Sequence, residues 1–404
     1  MVSNPRGRAK LPGAVWRLSL AHLLLAFGSN LLNLVLVLHF AGAEDLSSLG
    51  LVLALRTAPT FLVSLWGGVL ADRWPKNLLA GFSIFASGLT NLFLLLALYW
   101  QESSFWVYLL SLVSGFLSAF GGPALYALLP FLASEQDLFS ANALVRTFRN
   151  MGTLVSPVVY GLFLFLPNRD GVAYLAVGTT LAAVPLLFSL KVPLADSQEQ
   201  KTASQVESMR QGFRLLRSRK LILALIGFWA LSLPFQAGLA GAIQPALIAQ
   251  NLGEGTWTSM SFLTSGGYIL GSLVAIRLNL QKHLAPLSVF FFLLPALQLL
   301  ASASLFPHAL LFLLSFLAGM GLELSGVCWG TYLQKSTPKE DLGKVSSLDY
   351  AASFGLIPLG YLLASGAASL LGTRQTLYAG SLFLLAFGLI TLLVLTIMTD
   401  RGDQ

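Results

Sequence analysis

The chain has 404 residues, of which 56% are hydrophobic and only 10% are charged, whereas soluble globular chains have about 45–50% and about 25%. So few charged side chains cannot cover a water-facing surface, and disordered chains show the opposite balance, so the composition excludes both classes. The single cysteine, Cys328, excludes an internal disulfide framework. The net charge of +7 is dispersed along the chain rather than gathered into a nucleic-acid-binding patch. We therefore expect a protein that crosses a membrane several times.

Twelve apolar segments are long enough to cross a bilayer, whose core of about 30 Å needs roughly 20 apolar residues in a helix. We number them spans 1 to 12, at residues 17–41, 48–71, 78–100, 106–131, 140–166, 172–192, 221–244, 257–279, 286–304, 309–334, 346–371 and 376–398. Transmembrane strands would alternate polar and apolar residues, and this alternation is absent. The predicted fold class is an all-α membrane protein with twelve transmembrane helices.

The basic residues predict the orientation of these spans. If the N-terminus is cytoplasmic, every lysine and arginine except Arg56, Arg169 and Arg374 falls on the cytoplasmic side or in its loops. Cytoplasmic loops carry this excess of basic residues in membrane proteins. We expect both termini to be cytoplasmic, which an even number of spans allows.

The longest polar interruption, residues 193–220, divides the chain into halves at 1–192 and 221–404. An Asp-Leu turn recurs between the halves at an offset of 204 residues, and a proline within a span recurs at an offset of 201. We therefore predict two pseudo-symmetric six-helix halves, the arrangement by which transporters place a binding site near the midplane. Helical spacing of apolar residues from Val206 to Leu216 also predicts a short amphipathic helix in the linker, serving as a partner site or simply as part of the linker.

Ionisable residues inside a bilayer are costly and are functional candidates by default. Glu323 in span 10 lies on a helical face of small and polar residues, which is expected to meet protein or water rather than lipid. The members of this face are Ser315, Gly319, Glu323, Gly326, Gly330 and Gln334. We predict that Glu323 takes up and releases protons, the alternative being a carboxylate that is permanently paired across helices. Arg56 in span 2 would pair with Glu323, meet an anionic substrate group, or extend its long side chain to the surface.

The segment GVLADRWPK from Gly68 to Lys76 resembles the loop between helices 2 and 3 of the major facilitator superfamily, G-x-L-A-D-R-x-G-R-K. Three further stretches are similar to the drug-antiporter branch of that superfamily, which includes macrolide and siderophore exporters. They are PALYALLP from Pro123, SANAL from Ser140 and LQKSTPKEDLGKVSS from Leu333. With the twelve spans and the central linker, the resemblance covers essentially the whole chain.

Two groups of charged residues are candidates for a cytoplasmic gate. Asp72 would lie against the positive N-terminal end of the helix of span 11 and hold the halves together on the inside, the role that the resemblance also implies. Gly68, Arg73 and Lys76 accompany it, although the two basic residues would serve equally to fix topology. We also predict a salt-bridge gate between Arg146 and Arg149 of span 5 and Asp349 of span 11. Asp349 is expected in the first helical turn, where it would also simply complement the helix dipole.

A glycine and proline pattern in span 5 forms a further candidate. Gly152, Ser156, Pro157 and Gly161 resemble the exporter-associated pattern G-x-x-x-G-P-x-x-G-G, with Tyr160 at a glycine position. Small residues four apart let helix backbones approach closely, and the proline bends the helix. The surface would suit a sliding contact between helices, or it would be an ordinary packing face.

The resemblance implies that spans 1, 4, 7 and 10 line a central cavity. The polar and amphipathic residues that fit this placement are Asn30, Asn33, Ser118, Trp229, Gln236 and Glu323. The other walls would be apolar and aromatic, which suits a bulky amphipathic substrate better than a sugar.

The sequence therefore predicts a secondary transporter working by alternating access, most simply a proton-coupled antiporter for efflux of a drug or siderophore. The alternatives are uncoupled transport, uptake or transport of a lipid-like substrate, and a transporter-like sensor. No phosphate-binding loop or recognisable catalytic motif is present, so we expect no enzyme activity, cofactor or metal. The expected partners are a small molecule, protons and the lipid bilayer, with no nucleic acid, for a monomer in the bacterial cytoplasmic (inner) membrane.

Overall fold

A computed structural model describes residues 11–43, 45–71, 75–100, 103–126, 128–134, 137–167, 170–191, 219–278, 283–337 and 339–400. Nearly all of these residues are helical. The helices, in chain order, are α1 Gly13–Gly42, α2 Leu46–Ala71, α3 Lys76–Tyr99, α4 Ser104–Tyr126, α5 Leu129–Leu132, α6 Leu138–Phe163, α7 Gly171–Phe188, α8 Lys220–Gly238, α9 Gln244–Leu252, α10 Glu254–Leu278, α11 Leu284–Ala303, α12 His308–Ser336, α13 Lys339–Phe354, α14 Ile357–Leu371 and α15 Thr373–Asp400. A π-helical segment, Leu239–Ile243, joins α8 to α9.

Each predicted span overlaps a helix, and three spans are composite. Span 4 comprises most of α4 and α5, span 7 comprises α8 and the π-helical segment and ends at the first residue of α9, and span 11 comprises the second half of α13 together with α14. Among the described residues, nine helices are long and apolar enough to cross a membrane, and Leu46–Pro59 of α2 is a shorter apolar stretch. The protein is therefore a multi-pass membrane protein whose described residues are nearly all helical. That all twelve spans cross, with both termini cytoplasmic, stays a prediction.

Helices dominate because the bilayer core offers no water to backbone N–H and C=O groups, which must therefore pair within each segment. Five helices nevertheless contain an internal proline: Pro59, Pro157, Pro185, Pro234 and Pro295. Transmembrane helices tolerate such prolines because neighbouring helices and side-chain hydroxyls satisfy the freed carbonyls.

The described residues belong to two compact units whose boundary falls inside three helices. The first unit is drawn from Met1–Asn33, Leu62–Ser156 and Asn168–Gln198. The second is drawn from Leu34–Phe61, Pro157–Pro167 and Glu199–Gln404. The predicted division into halves at 1–192 and 221–404 stays a prediction, and the predicted amphipathic helix of the linker lies outside the described residues.

The first unit packs α1, α3, α4, α6 and α7 around buried aliphatic side chains that include Leu18, Leu128 and Leu187. Polar side chains join its helices where they are buried. The Ser114 hydroxyl donates to Asn91 Oδ1 at 2.7 Å, linking α4 to α3. Such bonds are needed because a buried polar atom without a partner costs free energy.

The second unit depends on close backbone contact between α8 and α14. A methyl group added at Gly360 would collide with the carbonyl oxygen of Pro234, and one at Gly238 would collide with Gly360. Beside this contact, the rings of Phe228 and Trp229 on α8 meet Phe292 of α11 at centroid distances of 5.6 and 5.2 Å. Small residues thus let the helices approach, and large rings fill the space next to them.

We predict that Gly360→Ala destabilises the protein, because the new methyl group must displace a backbone carbonyl. Overpacking of this kind costs roughly 1–3 kcal/mol, so the thermal midpoint in detergent should fall by several degrees. Gly366→Ala on the same helix is the matched control, since a methyl group there meets nothing within 4 Å. Equal midpoints for the two variants would show that the α8–α14 contact is looser than described.

Candidate functional site

Glu323 on α12 is held against α10 by a hydrogen bond and by close backbone packing. The Ser272 hydroxyl donates to Glu323 Oε1 at 2.9 Å. A methyl group added at Gly271 would lie 2.9 Å from the Glu323 Cβ, so α10 passes directly beside the acid. The described interaction partner of this carboxylate is thus a neutral hydroxyl rather than a cation.

Two further glycines set the distance between α10 and α12. A methyl group at Gly267 would collide with the Phe316 carbonyl, and one at Gly319 would collide with the Thr264 carbonyl. The two backbones are therefore in contact over about two turns that end at Glu323. This packing leaves the carboxylate little freedom to move away from Ser272.

The predicted polar face of α12 changes character along its length. Ser315 is fully buried and accepts a hydrogen bond from Gln298 of α11 at 3.3 Å. Beyond Glu323, a methyl group at Gly326 or Gly330 would meet no described atom within 4 Å, and Gln334 is exposed. The face is therefore packed against protein up to Glu323 and open from there to the predicted cytoplasmic end.

Arg56 is half-buried in α2, one turn before Pro59 and in the same compact unit as Glu323. The neighbouring Thr57 hydroxyl donates to the Leu53 carbonyl at 2.8 Å. Which of its three predicted roles Arg56 takes stays a prediction.

The span 5 pattern lies on α6 and packs on α1. A methyl group at Gly152 would collide with the Leu23 carbonyl. Asn30 Nδ2 donates to Ser156 Oγ at 2.7 Å and to the Thr153 carbonyl at 3.2 Å. Serine in place of the expected glycine therefore supplies a partner for a buried amide, just before Pro157 inside the helix.

The other predicted cavity residues differ in exposure. Asn33 and Ser118 are exposed, Gln236 is half-buried, and the Trp229 side chain is only 4% exposed. In this structure the indole packs against Phe228 and Phe292 and does not border open space. Contact of these residues with substrate stays a prediction.

Asp349 is not in the first turn of a helix, so the interpretation of this residue as a dipole complement is wrong. Helix α13 begins at Lys339, ten residues earlier. The Asp349 carboxylate accepts hydrogen bonds from Trp329 Nε1 at 3.1 Å and from the Ser353 hydroxyl at 3.3 Å. The sequence placed the helix start too late because polar residues before the apolar run continue the same helix.

The remaining predicted gate residues are only partly described. Asp72 and Arg73 lie outside the described residues, and Gly68 lies near the end of α2. Lys76 Nζ lies 5.1 Å from the centroid of the Phe131 ring, a cation–π geometry. On α6, Arg146 is exposed, while Arg149 is half-buried near His22 of α1.

Sequence analysis missed a set of contacts within the second unit, which lie at the predicted outer ends of α1, α2 and α6. Gln250 Nε2 donates to the Ala41 carbonyl near the end of α1 at 3.1 Å. A methyl group at Gly50 would collide with Ser365 of α14, and one at Gly161 would lie 3.6 Å from Thr258 Oγ1 of α10. The missed residues are ordinary polar and small residues, and nothing in their spacing marks them.

Within the described part of the chain, no group of three histidine, cysteine, aspartate or glutamate side chains could hold a metal ion.

Long apolar helices that hold a carboxylate and interhelical polar contacts are those of a helical, multi-pass membrane protein. The sequence model described as "Major Facilitator Superfamily" matches residues 18–240, which is more than half of the 404 residues. The chain belongs to this superfamily.

Full-length relatives and solved structures agree with this assignment. The chain is 28% identical over 362 residues to "Enterobactin exporter EntS" of Escherichia coli O1:K1 / APEC, covering 86% of this chain and 83% of the relative. It is 29% identical over 360 residues to the protein of the same name from Shigella boydii serotype 18 (strain CDC 3083-94 / BS512), with the same coverage of 86% and 83%. Both relatives bear the name of an enterobactin exporter.

The fold is similar to those of two solved transporters. For the nucleoside transporter NupG the TM-score is 0.76, at 11% identity, with 94% of this chain and 98% of that chain covered. For a POT family transporter in complex with 5-aminolevulinic acid it is 0.71, at 13% identity, with 98% of both chains covered. At such low identity these likenesses show the fold alone.

We predict that alanine substitutions of Asn30 and Asn33 have different effects, the first lowering stability and the second lowering transport. Asn30→Ala removes two donated hydrogen bonds between α1 and α6 and should lower stability by about 1–3 kcal/mol, measured as thermal unfolding in detergent. Asn33→Ala removes an exposed amide one turn away and should leave stability unchanged while lowering transport. A stability loss in Asn33→Ala equal to that in Asn30→Ala would contradict the description of this helix pair.

Proposed function

We propose that the protein is a proton-coupled exporter of a hydrophobic or amphipathic small molecule, working by alternating access. Membership of the superfamily establishes a transporter of small molecules, and the relatives that bear the name enterobactin exporter support export. The observation that carries the coupling is Glu323, a carboxylate in the middle of an apolar helix whose described partner is the Ser272 hydroxyl.

The Ser272 hydroxyl suits a carboxylate that changes its protonation state. A hydroxyl donates to a carboxylate and also accepts from a carboxylic acid, so the same contact serves both states of Glu323. A lysine or arginine that stayed paired with Glu323 throughout the cycle would hold the charged state and oppose proton uptake. The neutral partner thus allows the proton to bind and leave as access alternates.

The proposed coupling of proton binding to conformation has its physical basis in the loss of charge when Glu323 binds a proton. A charged carboxylate in an apolar segment is costly, so a conformation that closes water away from Glu323 favours the protonated acid. A conformation that opens Glu323 to the cytoplasm favours release. Proton entry from outside and release inside would drive the conformational cycle in the direction that expels substrate.

The substrate we propose is a bulky amphipathic compound of drug or siderophore type. The polar groups assigned to its cavity are few: Asn30, Asn33, Ser118, Gln236 and Glu323, with Trp229 as an aromatic contact. Ligand sites of this composition fix a mainly apolar molecule with a small number of placed polar groups. The name of the relatives makes enterobactin the first compound to test.

Asp72 is proposed as the inner clamp, with Gly68, Arg73 and Lys76 forming the rest of its loop. Arg146 and Arg149 are the basic side of the proposed inner gate.

Arg56 is the proposed partner of Glu323 or of an anionic substrate group. Gly152, Ser156, Pro157 and Gly161 are proposed to form the helix surface that slides as access alternates. We further propose a monomer in the bacterial inner membrane.

We predict that Glu323→Gln abolishes proton coupling. In sealed vesicles with an imposed pH gradient and an enclosed pH-sensitive dye, substrate-dependent proton movement should fall by about tenfold or more. Substrate binding should persist because glutamine keeps the size and hydrogen-bonding capacity of the side chain. Enterobactin, macrolides and dyes are the substrates to add.

The matched control is Glu254→Gln, which removes a glutamate at the start of α10 rather than in the middle of an apolar helix. Proton movement in this variant should equal that of the wild type. Binding without any proton movement in the wild type would instead indicate uncoupled transport, and no binding of any compound would favour a sensor.

A second prediction concerns the inner clamp. Asp72→Asn should keep expression and membrane insertion but lower transport by about tenfold or more, because the neutral amide interacts more weakly with a helix dipole. Asp137→Asn, at the turn before α6, controls for loss of an acid elsewhere. Transport at the wild-type rate by a well-expressed Asp72→Asn protein would exclude the clamp.

A further inference from the structure

Asp349 is a second carboxylate within the transporter's helices that dipole capping does not explain. It lies ten residues into α13, about 15 Å along the axis from the helix start at 1.5 Å per residue. It is also the second residue of the apolar segment Leu348–Leu371. The acid therefore stands where the predicted cytoplasmic surface meets the membrane-spanning part of the helix.

Neutral donors hold this carboxylate. Trp329 Nε1 on α12 donates to Oδ2 at 3.1 Å, and the Ser353 hydroxyl one turn along α13 donates to Oδ1 at 3.3 Å. Both donors are compatible with either protonation state, since hydrogen bonds from neutral groups do not require a charged acceptor. In this respect the surroundings of Asp349 are like those of Glu323.

The titratable and charged groups on the two helices packed against α13 are His308, Glu323, Cys328, Tyr332 and Lys335 of α12, and Arg219 and Lys220 at the start of α8. Of these described residues, none is an interaction partner of Asp349, whose partners are Trp329 and Ser353. No described cation therefore fixes the Asp349 carboxylate in its charged state.

Helix α12 connects the two acids. Trp329 follows Glu323 by six residues, which is about 9 Å along the helix axis. Between them lies Gly326, and Gly330 follows on the same face; a methyl group at either would meet no described atom within 4 Å. At these two positions, between Glu323 and the level of Asp349, no described atom lies against the α12 backbone.

We propose that Asp349 is a second proton-binding site, which passes protons between Glu323 and the cytoplasm. The proposal rests on the proposed proton coupling at Glu323. The protonated Glu323 gives its proton through water along the open face of α12 to the Asp349 carboxylate, and Glu323 returns to its charged form. The Asp349 acid then releases the proton to cytoplasmic water. Trp329 and Ser353 are positioning residues, which hold the carboxylate at the end of this path.

The first experiment asks whether Asp349 binds a proton, without any substrate. Infrared difference spectra of the purified protein in detergent are recorded as the pH is changed, for the wild type, Asp349→Asn and the control Asp137→Asn. We expect one carboxyl band to disappear in Asp349→Asn and to persist in the control. Identical spectra for the wild type and Asp349→Asn would overturn the proposal.

The second experiment asks whether that proton is used in transport. In proteoliposomes, Asp349→Asn should lower proton-driven enterobactin transport by about tenfold or more relative to the rate at which the same variant exchanges enterobactin without a pH gradient. Equal proton-driven rates for the variant and the wild type would overturn the relay and leave coupling at Glu323 standing. Enterobactin exchange without proton-driven transport in the wild type would instead overturn the proposed coupling, and the relay with it.

A third variant covers the case in which Asp349→Asn does not accumulate. Trp329→Phe keeps the ring and removes the N–H donor, so the charged carboxylate loses a hydrogen bond. The pH midpoint of proton-driven transport should move to higher pH, with exchange unchanged. A wild-type midpoint in this variant, or a loss of thermal stability with no change in the pH profile, would show that the Trp329–Asp349 contact is only structural.

Discussion

Direct backbone contact between α10 and α12 fixes the surroundings of Glu323, on which the proposed function depends. Gly267, Gly271 and Gly319 lack the side chains that would separate these helices, and the Ser272 hydroxyl reaches Glu323 Oε1. In lipid, apolar side chains gain little from meeting one another, and close packing together with interhelical hydrogen bonds holds helices together. The glycines therefore bring the hydroxyl within hydrogen-bonding distance of the acid that we propose as the proton site.

The first unit uses the same physical device for a different purpose. Gly152 lets α6 approach the backbone of α1, and Asn30 then reaches the Ser156 hydroxyl and the Thr153 carbonyl. The Thr153 carbonyl lies four residues before Pro157, which has no N–H to donate to it. The Asn30 amide and the Ser156 hydroxyl therefore satisfy a carbonyl that the proline leaves without its helical partner.

Much of the fold could be predicted from composition and span length, because a bilayer requires long apolar helices. The positions of Glu323 and Gly152 on packed faces followed from helical periodicity. The partners Ser272, Trp329 and Ser353 could not be predicted, since a serine or tryptophan in an apolar helix has no distinctive spacing and gains its meaning from the neighbouring helix. The start of α13 at Lys339 was missed because charged residues of a helix extending beyond the membrane look like a loop.

The contacts at the predicted outer ends of α1, α2 and α6 are individually weak, which limits how strongly they hold that part of the second unit together. The hydrogen bond from Gln250 to the Ala41 carbonyl contributes about 1 kcal/mol net, and the packing of Gly50 on Ser365 adds dispersion contacts that are individually small. A proton or a substrate shifts a conformational equilibrium only by the difference in its affinity for the two states. A bound proton contributes about 1.4 kcal/mol for each unit by which the pKa of its carboxylate differs between the two states. Contacts worth about 1 kcal/mol each are therefore small enough for a proton to overcome.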